Sequence, residues 1–377
     1  MRFIMKIRVF QHLPAVLAVS LVISANPALA RDANLTKYPI VFAHGMAGFN
    51  NILGYDYWGD DYGQFVLDPC NEFLEVTCNG DINSAQKSYV SAVQPLHNSE
   101  VRGTQLANNI ESYMATSGAT YVNIVSHSQG GLDSRKAAKL LQQRKGRQVV
   151  KTHLSISSPH RGSPVAKYVL DHYTLSSAVS VLANYYGNIV YASGNDTNAA
   201  LKQLVYNDYS SSDGTTTGMK AFNTSYPLTT TTIANSVSLM TAQNGSSVNP
   251  ALWLLSNAIY NIDGDGYCVG DCDNDGAAGA GDGSRTDRDD DGLVGINSQQ
   301  QGYRLEYVNC TGCLDYVYLR TGTGTVTNLN APNSTQMTSL SYVINQDHLD
   351  VIGVGPDTFD ELEFYAAITD YIADRGD

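Results

Sequence analysis

"VNIVSHSQGGLDSRKAAKLL", residues 122–141, is an apolar run that stops at Ser126-His127-Ser128-Gln129-Gly130-Gly131 and then continues in helical phase. A buried strand, a sharp turn of small residues and a helix, in that order, form the setting of a nucleophile elbow. There the central residue sits on strained backbone, and the positions two before and two after it must be small so that strand and helix can approach. The usual pattern is G-x-S-x-G. Here Ser126 takes the place of the first glycine and is small enough to keep the geometry, while Gly130 holds the second. Ser128 is therefore a candidate nucleophile.

Three more short apolar runs rich in β-branched residues flank this one: "YPIVFAHG" (38–45), "SYVSAVQPL" (88–96) and "VVKTHLSISSP" (149–159). Each ends in a turn-forming or small polar stretch, as buried parallel strands do. Between 98 and 118, Val101, Leu106, Ile110, Tyr113 and Met114 approximate a helical stripe, with Ser99 placed to cap its start. Strand, helix, strand, helix, strand predicts an α/β fold with a parallel sheet and right-handed crossovers. "TFDELEFYAAITDYIAD" at the C-terminus has helical spacing and reads as a closing helix.

A serine hydroxyl needs a histidine base, and the histidine needs a carboxylate to hold its tautomer and stabilise its charged form. After a strand-turn-helix elbow these follow in the order Ser, acid, His. His153, His160 and His172 lie too soon after Ser128 to leave room for an intervening strand and acid loop, so His348 is the well-placed base. The acid must lie between them. Asp291, just before Gly-Leu-Val, is the candidate, with Asp289 and Asp290 as rivals that spacing alone does not remove. The developing oxyanion needs backbone donors, which Gln129, after the nucleophile, and Met46, after the first strand, are placed to supply. Only a few residues precede that strand once a leader is removed, so no β-hairpin is expected before it.

The leader is residues 1–30. Arg2, Lys6 and Arg8 precede "LPAVLAVSLVISA", and Pro27-Ala28-Leu29-Ala30 offers the small residues a signal peptidase requires. That apolar core is shorter than a spanning helix, so a secreted product starting at Arg31 is expected, with no later transmembrane segment. Its 36 acidic residues then face 20 basic ones, which argues against nucleic acid or an anionic membrane as partner. In an exported chain the six cysteines favour disulfides over zinc, the close pairs 70/78, 268/272 and 310/313 being the expected ones. The basic run from Arg135 to Lys151 reads as a water-facing set near a helix C-terminus, with no binding site.

Residues 164–205, rich in Tyr, Ala, Leu and Val, read as one or two amphipathic helices interrupting the sheet, either core helix or lid. From Ile262 to Asp291, ten Asp face two Arg among many glycines, a run that cannot bury a core. Within it Asp271, Asp273, Asp275 and Gly276 have the spacing of a calcium loop, with Asp282 at the twelfth position. A solvated acidic linker is the alternative. Asp287 and Asp289 repeat the phase more weakly, because their twelfth position is Ser298.

Together these stretches resemble the bacterial family I secreted true lipases of the pseudomonad type. The matching segments are "YPIVFAHGMAGFNNILGYDYW" (38–58), "NSEVRGTQL" (98–106), "VNIVSHSQGGLDSR" (122–135), "SPHRGSPVA" (158–166), "MKAFNTSYP" (219–227), "DDGLVG" (290–295) and "DHLD" (347–350), in order through nearly the whole chain. The resemblance implies a single domain over 31–377 with a truncated α/β-hydrolase fold: about six strands, mostly parallel, helices on both faces, and a helical lid. It implies hydrolysis of triacylglycerol esters at an oil-water interface, with Ser128, Asp291 and His348 catalytic and Met46 and Gln129 forming the oxyanion hole. It also implies a dedicated foldase, and a calcium ion bracing the histidine loop through Asp350 and a second aspartate. Asn249 stands at that second position, which removes a formal charge from the site. A short-chain or polyester esterase on the same scaffold, or an inactive calcium-binding surface module, are the alternative functions.

Overall fold

The apolar runs become neighbouring strands. β1 (Ile40–Ala43), β2 (Ser88–Ser91), β3 (Val122–His127) and β4 (Val150–Ile156) are joined by β5 (Ile233–Thr241), β6 (Gly302–Cys310), β7 (Tyr316–Val326) and the short β8 (Val343–Ile344). The sheet order is β7-β6-β5-β4-β3-β1-β2, with β8 paired to the end of β5. Every pair is parallel except β6-β7, which closes one edge as an antiparallel ribbon. This computed structural model describes residues 31–46, 48, 51–52, 55–58, 80–81, 85–163, 165–166, 169–170, 194–205, 218–243, 247–249, 252, 290–310, 316–330, 342–353 and 359–377. The leader, the cysteine side chains, and Asp271, Asp273, Asp275 and Asp282 lie outside them.

Alternation along the strands sorts the core into two layers, because successive side chains point to opposite faces. Ile40, Phe42, Val125, Leu154 and Leu239 pack against Phe364, Ile368 and Ile372 of α5 (Glu361–Asp374), the expected closing helix. Val41, Ala43, Ile124 and Val150 face the other way. They meet Leu106 and Ile110 of α1 (Ser99–Ser117) and Ala137 and Leu141 of α2 (Gly130–Lys145). Helices thus cover both faces of an open sheet. Six strands, β1 to β6, run parallel along its main path, near the about six expected, and the antiparallel β7 and the short, parallel β8 bring the sheet to eight. Among the described residues no antiparallel strand precedes β1; Arg31–Asp32 pairs in parallel with Gly80–Asp81.

Two local expectations are corrected. Asn98, not Ser99, caps α1: its Oδ1 accepts from Val101 N–H at 3.2 Å, and Ser99 is the first helical residue, its N–H donating to Gln203 Oε1 at 2.5 Å. Arg135 does not face water. It lies in the second turn of α2, is buried, and donates to Asn223 Oδ1 at 2.9 Å and to the Tyr226 carbonyl, so packing of α4 (Gly218–Ser225) displaces solvent from it. Arg144 and Lys145 do close the helix at its surface, where both pair with Glu111.

Of the segment 164–205, the described part ends in α3 (Thr197–Leu204), capped by Asp196, whose Oδ1 accepts from Ala199 N–H at 2.9 Å. Leu201 and Leu204 are buried with Val165, Val169, Met219 and Phe222 over the carboxyl ends of the strands.

Candidate active site

β3 delivers Ser128 at its carboxyl end with φ of 54°, a left-handed conformation that non-glycine residues rarely adopt. The strain is held from both sides: Ser128 N–H donates to the Ile156 carbonyl at 2.9 Å, and Gly131 N–H to the Ser128 carbonyl at 3.0 Å. Gly130 is obligatory, since a Cβ there would run into the Ala43 and His44 carbonyl oxygens. Ser126 fits where glycine is usual because its Oγ has a partner, His153 Nε2 at 2.9 Å on the neighbouring strand. His153 in turn meets Gln301 Nε2 at 3.0 Å. Burial, with the Arg135 charge beside it, lowers the His153 pKa to about 3.

The structure brings His348 and Asp291 to this serine across the sheet's end. His348 Nε2 lies 2.8 Å from Ser128 Oγ, and His348 Nδ1 lies 2.8 Å from Asp291 Oδ2. Asp291 can only accept, so the proton between them is on Nδ1 and Nε2 is left to accept from the serine. Asp291 is 0% exposed. Its Oδ1 accepts from Leu293 and Val294 N–H at 3.1 and 2.8 Å, and its Oδ2 also accepts from Thr241 Oγ1 and Gln299 Nε2 at 3.1 and 3.2 Å. Its backbone carbonyl accepts from His348 N–H at 2.9 Å, so one residue orients both the ring and the chain of the histidine. Of the rivals, Asp290 turns away, its Oδ1 accepting from Gly292 N–H at 2.6 Å, and Asp289 lies outside the described residues.

Met46 and Gln129 flank the serine on the lining of the same cleft. Neither backbone N–H is spent on another acceptor among the described residues. What holds Met46's loop is Arg102, whose place in the apolar stripe of α1 concealed it. Its Nη2 donates to the His44 and Gly45 carbonyls at 2.8 and 2.9 Å, its Nη1 to Gln94 and Pro95 at 2.8 and 2.9 Å, and its Nε to Asp133 Oδ2 at 2.8 Å. Burial raises the Asp133 carboxyl despite the Arg102 charge beside it. His44 adds a bond from Nδ1 to the Gly45 carbonyl at 2.9 Å and takes the Val93 N–H at 3.2 Å. Arg102→Lys keeps the charge next to Asp133 but loses the planar fork. We expect kcat to fall by about tenfold through misplacement of the donors, and stability by about 1–3 kcal/mol. Ester kinetics and urea unfolding of the variant read both effects, and unchanged kcat would remove Arg102 from this role.

The cleft above Ser128 has an empty volume of about 720 Å³, part of it open to solvent. Val165, Val169, Leu201, Leu204, Leu293 and Ile352 line it, so an alkyl chain entering beside the serine would exchange water for hydrocarbon contact.

For a metal the described residues offer less. Asp350 and Asn249 meet around Asp347, whose Oδ1 accepts from Leu349 and Asp350 N–H at 2.7 and 2.8 Å and whose Oδ2 accepts from Asn249 N–H. Asp347 thereby uses its carboxylate on backbone donors. Among the described residues no group of three or more His, Cys, Asp or Glu is disposed to hold an ion. These residues alone fall short of the six to eight oxygens that calcium takes.

No protein-family model matches the chain. A triacylglycerol lipase of Burkholderia plantarii is 29% identical over 274 residues, spanning 64% of this chain and 67% of that protein. One of Pseudarthrobacter phenanthrenivorans is 28% identical over 249 residues, spanning 58% and 67% respectively. One of Vibrio cholerae is 32% identical over 146 residues, or 39% of this chain and 40% of its own. Among solved structures, the mature lipase BlEst2 of Bacillus licheniformis superposes with a TM-score of 0.50 at 17% identity, covering 91% of this chain and 95% of that one. Lipase 1 of Pelosinus fermentans gives 0.50 at 17%, covering 90% and 99%. Those two likenesses speak for the fold, and the sequence matches speak for common descent. The open parallel sheet and the elbow at its carboxyl edge agree with both: the chain has an α/β-hydrolase fold and is homologous to bacterial proteins named triacylglycerol lipase.

Proposed function

We propose that the protein is a carboxylic ester hydrolase that cleaves triacylglycerols through an acyl-enzyme on Ser128. The observation that carries this reading is the Ser128–His348 contact of 2.8 Å at the floor of an apolar cleft. As Ser128 Oγ attacks the ester carbonyl, its proton passes to His348 Nε2, and the imidazolium is stabilised by Asp291 at Nδ1. The oxyanion is received by the Met46 and Gln129 N–H groups. Collapse returns the proton to the leaving alcohol oxygen, and a water activated by His348 then releases the fatty acid.

The apolar lining favours long acyl chains over short ones, and residues 164–205, described only at 165–166, 169–170 and 194–205, are the candidate lid. The same reading includes export after Ala30 and assistance by a foldase. It also includes calcium, with Asp350 and Asn249 bracing the histidine loop and Asp271, Asp273, Asp275 and Asp282 forming a separate loop. Its support is chemical: ten clustered Asp repel one another unless a cation or solvent compensates. No step of the reaction uses the ion.

The test compares emulsified triolein with soluble butyrate ester, with and without chelator. We expect triolein to be hydrolysed faster, and chelation to lower the unfolding temperature and the activity together. Butyrate hydrolysis alone would make the protein a short-chain esterase. Failure to react with a serine-directed phosphonate would favour a calcium-binding surface module.

A further inference from the structure

Resting on that ester-hydrolase reading, we propose that Tyr57 is a positioning residue whose hydroxyl ties the oxyanion loop to the elbow and fixes the proton of His127 on Nε2. Tyr57 OH accepts from Gly45 N–H at 3.0 Å and meets His127 Nδ1 in a short hydrogen bond. Gly45 belongs to the loop that carries Met46, and His127 is joined to Ser128. One phenolic oxygen therefore links the two backbones that supply the oxyanion donors. The fit leaves no slack: a Cβ on Gly45 would lie 2.6 Å from Ser128 Cβ and 2.8 Å from Tyr57 OH.

A hydroxyl has one proton to give. With the Gly45 N–H on its acceptor side, that proton is directed to His127 Nδ1 in the proposed arrangement, which places the ring hydrogen of His127 on Nε2. Nε2 is buried, and the ring lies 4.7 Å from that of His348, centroid to centroid. Burial, then the nearby His348 charge, holds His127 well below the usual histidine range, slightly opposed by the His348 backbone carbonyl. A neutral neighbour is what the reaction requires, since two imidazolium rings at that separation would repel just when His348 takes the serine proton. The phenol is itself held rigidly. Its ring is 5.3 Å from Trp58, which packs on Phe42 at 5.2 Å and on Tyr365 of α5 at 5.8 Å.

Tyr57→Phe keeps the ring and removes only the hydroxyl. We expect kcat on a soluble ester to fall about tenfold to hundredfold, with KM within about twofold, because transition-state donors are misplaced while the apolar cleft is untouched. Long-range 15N–1H correlations of the histidine rings should show His127 protonated on Nε2 in the wild type and mixed in Tyr57→Phe. His127→Asn, whose Oδ1 can take the Tyr57 proton, should retain about tenfold more kcat than His127→Leu. An active wild type matched within twofold by Tyr57→Phe, an Nδ1–H tautomer, or equal Asn and Leu variants would each overturn the role. A wild type inactive on every ester would overturn the hydrolase reading and this role with it.

Discussion

Ser128→Ala is expected to lower kcat/KM on a soluble ester by about 10⁶-fold, and His348→Ala by nearly as much, while the double variant should be no worse than either. The reason is that the groups act as one unit: the Oγ–Nε2 separation of 2.8 Å lets the serine react only as its proton leaves, so removing either partner removes the same step. Asp291→Asn should cost less, about 10⁴-fold, by favouring the wrong tautomer of His348. That variant carries a second penalty. Asp291 accepts from Leu293, Val294, Thr241, Gln299 and His348, and an amide NH2 would face donors on one side whichever way it turned. Its unfolding temperature should therefore drop, whereas that of Ser128→Ala should not. Purified variants checked for folding, with rates read against the buffer reaction, decide the matter. A Ser128→Ala protein retaining more than about 1% of wild-type activity would show that the elbow serine is not the nucleophile.

The elbow could be read from sequence because its constraints are local: small residues at two positions, a buried strand before and a helix after. His348 followed from chain order alone, since the histidines nearer Ser128 left no room for an acid. The structure gives two of those a different task, His153 bonding Ser126 and His160 bonding Ser155 at 2.9 Å each, while His172 lies outside the described residues. Asp291 and Asp290 differ in sequence only by one position, and the Gly292 turn separates their roles by taking up the Asp290 carboxylate. Arg102, Tyr57 and Gln299 were not legible as site residues. Each acts on backbone or side chains brought close by the sheet, as in the 70-residue separation of Tyr57 and His127, and no periodicity records such a contact. Arg135 misled for the same reason, because the segment that buries it, Asn223 to Tyr226, lies about ninety residues further on.

Acid should unfold this protein well before it protonates most carboxylates. His44, His127, His153 and His160 are all buried. Burial, with the Arg102 charge, lowers His44 to about 3, and burial with Arg135 does the same for His153. Burial holds His127 and His160 well below the usual range too. In the unfolded chain each titrates near 6.5, so below that pH the unfolded state binds more protons than the folded one. Stability is therefore full above about pH 6.5 and lost as pH falls toward 3. At pH 5 His44 and His153 have each removed about 2 kcal/mol, about 4 kcal/mol together, a large part of the stability of an ordinary domain, and His127 and His160 act in the same direction. Asp133 and Asp347, whose carboxyls burial raises, bind protons first in the folded state and offset part of this from about pH 4 upward. Urea midpoints between pH 7 and 5 should give an uptake of about two to four protons on unfolding. His153→Gln, compared with wild type over the same range, should reduce that uptake by about one. Stability flat to within about 1 kcal/mol over that interval would mean that the four rings are not held neutral by the fold. Activity should fail along the same curve. His44 braces the Gly45 carbonyl and accepts from Val93, and a second proton on its ring would break the latter bond and loosen the loop that carries Met46.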